Sequence, residues 1–507
     1  MTQALKSLFS GAARKRWASL VLGAALVLAF APFSEALVAP FALACLILLW
    51  DSSTPRQAGW QGFCFGLGLF TAGTYWLYIS LNILGGLWPP IAVLLMLSLI
   101  VALAAYVALT GYLSVYLTPQ GGAMRWLVAV PAVWTLTEWL RGWLFTGFPW
   151  MSVGYSQVDT PLGALAPLAG VYGVSWATLI AAGLLVSLVQ GSIALRMFSL
   201  VTGVGAVLGL MTIEGTVWTE EVPKPMRVSL VQGAVPQELK WKPQQLQPTL
   251  DLYTRMTLEQ DKRDLIVWPE AAIPALPFEI PEFLADLRAA MVERDTQLLT
   301  GILTYDIDRG EYRNTLLAIG PDDHQYHKRH LVAFGEFFPL PDFALSLLRI
   351  MNLPSESISS GEDDQPLLIA KGVPVAATIC YEIAFGAEQL QFFPSAELMV
   401  NVSNDAWFGD SIAPHQHLQI GQMRALETGR YLLRATNTGI TAVVDPRGRV
   451  QASMPQFEPG VVNAEVHPYR GATPYVMVGN WPVIGGALAL TLLAGFVSRR
   501  KTPGEAA

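Results

Sequence analysis

The chain changes its hydrophobic rhythm once. Up to about residue 216, apolar residues run in long stretches broken by brief polar or Gly/Pro punctuation. A helix that crosses a bilayer core of about 30 Å needs roughly 20 such residues. Seven runs of this kind precede the change, at 17–33, 35–50, 58–79, 88–117, 124–144, 161–189 and 194–216, and an eighth, 479–498, comes near the C-terminus. The first reads as a retained span and not a cleaved leader, because Pro32 and Glu35 follow it in place of a small-residue cleavage site and the second run begins almost at once.

Between residues 220 and 475 the apolar runs shorten and become rich in β-branched residues: Val228–Val231, Leu265–Trp268, Leu298–Leu303, Thr315–Ile319, Val373–Ile379 and Leu398–Val402. Helical patterns over Pro281–Arg294 and His415–Leu433 lie among them, and alternating strands and helices predict a layered α/β domain. The chain therefore reads as three segments: a helical membrane domain over 1–219, a water-soluble domain over 220–475, and a last span with its tail over 476–507. The stretch 337–354 is Pro-rich yet too apolar for an ordinary solvated loop, and reads as one that rests on the membrane.

Composition and charge sharpen this division. Of 507 residues 52% are hydrophobic and only 14% charged, where a soluble globular chain carries about 25% charged residues. Of the 32 Lys and Arg and 39 Asp and Glu, only 13 fall in residues 1–216. Lys6, Arg14, Lys15, Arg16, Arg56, Arg125, Arg196, Arg499, Arg500 and Lys501 all fall on one side if there are eight spans, which predicts cytoplasmic termini and an outward-facing 220–475 domain, periplasmic in a bacterium. A net charge of −7 without a basic cluster in the soluble part excludes nucleic acid as a partner. Glu138 and Arg141, ringed by Trp134, Trp139, Trp143 and Trp150, stand inside an apolar run; they read as an interfacial ion pair at i, i+3 spacing, with an intramembrane functional site as the alternative.

The candidate chemistry begins with cysteine. Cys45 and Cys64 lie in apolar runs, so Cys380 is alone in the outer domain and no disulfide can form within it. A lone thiol in an oxidising compartment is either buried or used. Cys380 ends a strand (VPVAATI) just before IAFGAEQL, a geometry that presents a nucleophile. Glu270 follows the strand Leu265–Trp268, and Lys328 follows Thr315–Ile319. Taken singly, each reads more readily as an ordinary surface charge; together, at the strand ends where α/β sheets collect ligands, they supply a base for the thiol and a cation for an oxyanion. His415 and His417 stand two apart, on different faces of a helix, and His324, His327 and His330 read as a polar loop, so no metal site is expected. No phosphate loop or dinucleotide fingerprint is present, and no cofactor is expected.

The motifs VWPE (267–270), HKRHLVAFGEFFP (327–339) and ICYE (379–382) resemble those of the nitrilase superfamily, with its Glu, Lys and Cys triad. VSLVQGAVPQELKW, NVSNDAWFGDS and HQHLQIGQMRALETGRYLLRATNTG, with seven spans before the domain and one after, extend the resemblance over nearly the whole chain to the bacterial apolipoprotein N-acyltransferases. The resemblance implies a four-layer αββα sandwich joined to a membrane helical bundle. It implies Glu270 as general base, Lys328 as the stabilising cation and Cys380 as the acylated nucleophile. It further implies Glu336 as a second essential carboxylate, Tyr381 and Glu382 as supports of the nucleophile, and Trp241 and Trp407 as aromatics at the site entrance. The reaction implied moves an acyl chain from a phospholipid such as phosphatidylethanolamine to Cys380, then to the α-amino group of the diacylglyceryl-cysteine of an apolipoprotein, in the bacterial inner membrane.

A membrane domain suits such substrates, since each CH₂ withdrawn into water costs about 0.8 kcal/mol. The apolar arm at 337–354 is the expected gate, with Phe338 and Leu340 as its test positions. Two rivals stand beside this reading: a membrane-tethered amidase of the same superfamily, in which water discharges the thioester, and a lipid-capturing transporter or binding protein, for which Cys380→Ala is harmless.

Overall fold

A computed structural model of the chain describes residues 11–337 and 358–500. Phe338, Leu340 and the rest of the expected gate beyond Phe337 lie outside the described residues. The chain divides into two compact units: the described parts of Met1–Tyr78, Trp88–Val217 and Met477–Ala507 form one, and Ile79–Leu87 with Trp218–Val476 form the other.

In the first unit each of the eight apolar runs contains a helix: Ala12–Leu26, Val38–Asp51, Pro55–Gly73, Pro89–Leu117, Val130–Arg141, Ala166–Gln190, Ile193–Glu214 and Trp481–Arg500. Among the described residues only four helices are long and apolar enough to cross a membrane: Pro89–Leu117, Pro161–Gln190, Ile193–Glu214 and Trp481–Arg500. The others fall short for separate reasons. Ala12–Leu26 passes into a 3₁₀ turn, and Val130–Arg141 is the straight continuation of a π-turn at Arg125–Ala129. Pro55–Gly73 has 19 residues but is diluted by glycines that serve packing: a Cβ at Gly66 would lie 2.6 Å from Ala104 Cα, and one at Gly68 2.0 Å from the Leu20 carbonyl oxygen. Small residues let helix backbones approach where no hydrophobic force drives them together.

The Glu138–Arg141 pair lies inside the protein. Both residues are buried, at 4% exposure each. Glu138 Oε1 accepts from the Val153 amide at 2.8 Å, while Arg141 Nη1 donates to the Phe148 and Trp150 carbonyls. The pair holds the irregular backbone that follows the helix, whose buried polar groups need partners within the protein.

The second unit is built on two six-stranded sheets. Its strands are β1 (Glu220–Glu221), β2 (Met226–Gln232), β3 (Leu265–Val267), β4 (Gln297–Asp306), β5 (Glu311–Ile319), β6 (Gln325–His327), β7 (Leu368–Ala370), β8 (Val373–Ile379), β9 (Leu398–Ser403), β10 (Leu432–Thr436), β11 (Ala442–Val444), β12 (Val450–Ser453), β13 (Gly460–Val466) and β14 (Tyr469–Arg470). One sheet runs β13-β2-β3-β4-β5-β6, the other β12-β11-β10-β9-β8-β7, and β1 pairs with β14 apart from both. The middle of each sheet is parallel, β2-β3-β4 and β8-β9-β10, and its strands are buried on both faces, which explains the unbroken apolar runs.

Val231, Ile266, Trp268, Leu298 and Ile302 pack on Leu250, Tyr253, Leu287 and Met291 of helices Pro243–Leu258 and Pro281–Glu293, which cover the outside of the first sheet. Helix Ala413–Thr428 packs along β10 and β11 of the second. The inner faces meet through Gln232 of β2, whose Oε1 accepts from Thr441 Oγ1 at 2.6 Å and from Thr436 Oγ1 of β10 at 3.3 Å. The result is an αββα sandwich. The helix expected over His415–Leu433 ends earlier, at Thr428, because Gly429 takes a left-handed conformation (φ +63°) and Leu432 onward pairs with β9 as a strand.

Candidate active site

Three strand ends deliver the groups singled out in the sequence. Glu270 lies three residues beyond β3, Lys328 directly follows β6, and Cys380 directly follows β8. Lys328 is 1% exposed, and its Nζ lies 2.8 Å from Glu336 Oε1 and 3.7 Å from Glu270 Oε1. Asn314, on β5, donates from Nδ2 to Glu270 Oε1 at 2.7 Å and to Glu336 Oε1 at 3.4 Å. The second oxygen of each carboxylate is held by an amide: Asn404 N donates to Glu270 Oε2 at 2.7 Å, and Val332 N to Glu336 Oε2 at 2.8 Å. Both carboxylates are thereby aimed at one ammonium.

Burial disfavours a charge on Lys328, but Glu336, Glu270 and Cys380 around it outweigh that, and its ammonium is held well above the ordinary lysine range. Cys380 is shifted upward as well. Burial and the Glu270 charge raise its thiol, Asp405 adds to the rise, and Lys328 and a hydrogen bond with Ser403 oppose it. At rest the site thus holds a protonated thiol and a charged lysine. A thiol of this kind becomes a nucleophile only when a base takes its proton as it attacks, and Glu270 is the carboxylate whose field the thiol senses most.

Cys380 has φ +54°, a conformation that side chains other than glycine rarely adopt and that costs of order 1–3 kcal/mol. Such a turn lifts the side chain off the strand end. Glu382 braces it: Oε2 accepts from the Ile379 amide at 2.7 Å, and Oε1 from the amides of Arg329 at 2.7 Å and His330 at 3.1 Å. One buried carboxylate so ties the residue before the cysteine to the residues after the lysine. Tyr326 OH adds a fourth donor at 3.0 Å.

The remaining sequence candidates lie farther out. The Tyr381 ring packs edge-on against Phe385 at 5.0 Å, and His330 stacks on the same phenylalanine at 3.6 Å. Trp241 and Trp407 are 49% and 40% exposed and contribute nothing to the ion cluster. Trp407 does sit in the turn after Asn404, and its carbonyl accepts from Ser80 Oγ at 2.6 Å. The sequence reading missed Asn314, the Asn404 amide and Lys240, which is 2% exposed and donates from Nζ to the Glu270 carbonyl at 3.1 Å. A buried asparagine in the strand YRNTLLAI was the one available signal, since strand interiors rarely hold an amide without a partner. Among the described residues no cluster of three or more His, Cys, Asp or Glu could hold a metal ion.

Residues 22–184 match the model of the apolipoprotein N-acyltransferase N-terminal domain, and residues 227–475 that of the carbon-nitrogen hydrolases. An apolipoprotein N-acyltransferase of Methylococcus capsulatus is 43% identical over 92% of this chain and 93% of its own length. The chain belongs to the apolipoprotein N-acyltransferase family. Its relative of that name in Vibrio cholerae is 40% identical over 98% of this chain and 99% of its own, and that of Nitrosomonas europaea 43% over 96% and 98%. The N-acyltransferase family model ends before the sandwich and the hydrolase model spans it, so Glu270, Lys328, Glu336 and Cys380 all fall within the part matched to carbon-nitrogen hydrolases. The structure of Nit3 from Saccharomyces cerevisiae, a nitrilase-superfamily member, is similar over 50% of this chain and 93% of its own, at 19% identity and a TM-score of 0.37.

Proposed function

We propose that the protein transfers an acyl chain from a phospholipid, through a thioester on Cys380, to the α-amino group of the diacylglyceryl-cysteine of apolipoproteins. The observation that carries this reading is the convergence of Glu270, Lys328 and Glu336 on one buried ion cluster beside a strained cysteine, in a chain akin over its whole length to N-acyltransferases. In the first step Glu270 takes the thiol proton, the sulfur bonds to the ester carbonyl carbon, and the oxyanion forms near the Lys328 ammonium. Collapse breaks the carbon–oxygen bond, and the proton held by the carboxylate leaves with the lysophospholipid. In the second step the amine attacks the thioester, a carboxylate takes the amine proton, and the thiol re-forms as the amide leaves.

Glu336 fixes Lys328 and shares the proton traffic. Glu382 and Tyr381 hold the nucleophile's turn, and Trp241 and Trp407 flank the entrance. Phosphatidylethanolamine is the representative donor. The protein lies in the bacterial inner membrane, its eight apolar runs acting as spans, with both termini cytoplasmic and the segment 220–475 periplasmic, between membrane segments 1–219 and 476–507; the distribution of Lys and Arg supports this orientation.

Intact-mass spectrometry after incubation with phospholipid, followed by a chase with a diacylglyceryl-cysteinyl peptide, tests the reading. An acyl increment on Cys380 that moves to the peptide amine is expected, and Cys380→Ala is expected to show none. An increment lost only to water would favour the rival in which water discharges the thioester, and wild-type turnover in Cys380→Ala would remove the site from the chemistry.

A further inference from the structure

Next to the ion cluster lies a second buried polar group that the reaction above does not use. Arg434 and Asp405 form an ion pair at 2.7 Å with both side chains fully buried. A pair of this kind is weak support for a fold, since well-packed apolar residues of the same volume often do as well or better. Its hydrogen bonds all lead toward Cys380. Ser403 Oγ donates to Asp405 Oδ1 at 2.7 Å, and Ser403 acts to lower the Cys380 thiol. Arg434 Nη1 donates to Asn401 Oδ1, and Asn401 Nδ2 in turn donates to the Cys380 carbonyl at 3.4 Å. His417 Nε2 lies 3.2 Å from the same carbonyl, and its Nδ1 lies 3.0 Å from both Arg434 Nη2 and Asp405 Oδ1.

The carbonyl fixes the role of one ring nitrogen. A carbonyl only accepts, so His417 Nε2 must carry the hydrogen. At Nδ1 the neighbours pull opposite ways, since Arg434 Nη2 only donates and Asp405 Oδ1 only accepts. Burial and the Arg434 charge both hold His417 below the ordinary histidine range, in keeping with a neutral ring. The imidazole is thus a fixed donor to the carbonyl of a residue whose backbone is strained at φ +54°. Strain of this sort persists only where the surroundings over-determine it.

We infer that His417, oriented by the Arg434–Asp405 pair and assisted by Asn401 and Ser403, is a positioning residue that holds the Cys380 turn in the conformation from which the thiol is acylated. The inference rests on the acyl-transfer reading for its substrate but not for its geometry. It is tested on the full chain with His417→Ala and His417→Gln, the second keeping an N–H able to reach the carbonyl. Acylation of Cys380 by phospholipid is expected to slow about tenfold to hundredfold in His417→Ala, with KM within about twofold, and to return to within about threefold of wild type in His417→Gln. Alkylation of Cys380 by iodoacetamide, mapped by peptide mass, is expected to rise in His417→Ala alone while thermal stability stays near wild type, because a relaxed turn frees the thiol.

Wild-type acylation in His417→Ala would overturn the inference, as would a His417→Gln variant that folds with the wild-type Tm yet acylates no faster than His417→Ala. If His417→Ala does not fold, the glutamine variant decides alone: folded and slow overturns the inference, folded and fast upholds it. Should wild-type protein take no acyl chain from phospholipid, the acyl-transfer reading fails, and the alkylation rates still decide the positioning.

Discussion

Both units of this protein bury charge, and they use it in opposite ways. In the helical unit Arg125 donates to the carbonyls of Trp50, Asp51 and Thr118, at the ends of helices Val38–Asp51 and Pro89–Leu117, and Arg141 does the same for the backbone at 148–150. These charges complete a backbone that helix ends leave unsatisfied, and both side chains are buried away from water. In the sandwich unit Lys328, Glu270 and Glu336 face one another beside a thiol. Burial of an ionisable group is therefore no mark of chemistry by itself. What separates the two cases is that carbonyls take most of the donors of Arg125 and Arg141, each beside one carboxylate, whereas Lys328 stands between two carboxylates next to a thiol, which leaves a proton to move.

Replacing Glu270 breaks the comparison most sharply. Glu270→Gln keeps the shape and most hydrogen bonds and is expected to cut turnover by about 10²–10⁴ with little loss of stability. The same change removes a charge that raises the Cys380 thiol, so the pH at which iodoacetamide alkylates Cys380 half-maximally should fall. Activity and thiol acidity then move in opposite directions, which a loss of folding would not produce. An alkylation midpoint that stays put or rises would show that Glu270 does not act on the thiol.

Lys328→Met comes next, with an expected loss of about 10²–10³ in acylation rate, the usual range for removing one oxyanion-stabilising group. It also leaves Glu270 and Glu336 without the ammonium between them. Single-turnover acylation of Cys380, followed by intact mass, is the measurement that checks the loss, and a wild-type rate would remove Lys328 from the support of the oxyanion.

The helical unit should answer in the other currency. Arg141→Ala strands the Glu138 carboxylate and frees two carbonyls, and is expected to lower stability by about 3–5 kcal/mol, as breaking a buried pair does. Acylation per folded molecule should stay within about threefold of wild type. A Glu138→Gln variant with a normal Tm and no acylation would end the distinction drawn between the units.

These contrasts mark what was legible in the chain. Long apolar runs located the eight helices, and short β-branched ones located β2, β3, β4, β5, β8 and β9, because burial on one or both faces imposes its own period. Glu270 and Cys380 were visible because each closely follows such a run, whereas Lys328 follows β6, a three-residue strand that no apolar run marks. The Arg434–Asp405–His417 group was not. Its members lie on β10, on the turn after β9 and on a helix, and meet only through the pairing of β10 with β9. Reading the helix through Gly429 to Leu433 concealed β10 and so the place of Arg434. For Glu138 and Arg141, the i, i+3 spacing said that two side chains are neighbours and nothing about the loop that covers them.

The smallest effect concerns Lys240, which stands between the two uses of charge. It is buried like Lys328, but its Nζ donates to the Glu270 carbonyl instead of a carboxylate. Burial lowers it to about 8, with Glu270 opposing the fall, whereas Lys328 is raised. The unfolded lysine titrates near 10.4, so between about pH 8 and 10 the unfolded state binds more protons and stability rises with pH. Below pH 8 the deficit is full. Lys240→Met is thus expected to raise stability at pH 7 by about 1–3 kcal/mol, less whatever its lost hydrogen bond contributed, and the gain should shrink in melts run at pH 9 and above. A gain that does not change with pH would mean that Lys240 is hydrated well enough to titrate normally, and would place it with ordinary surface lysines.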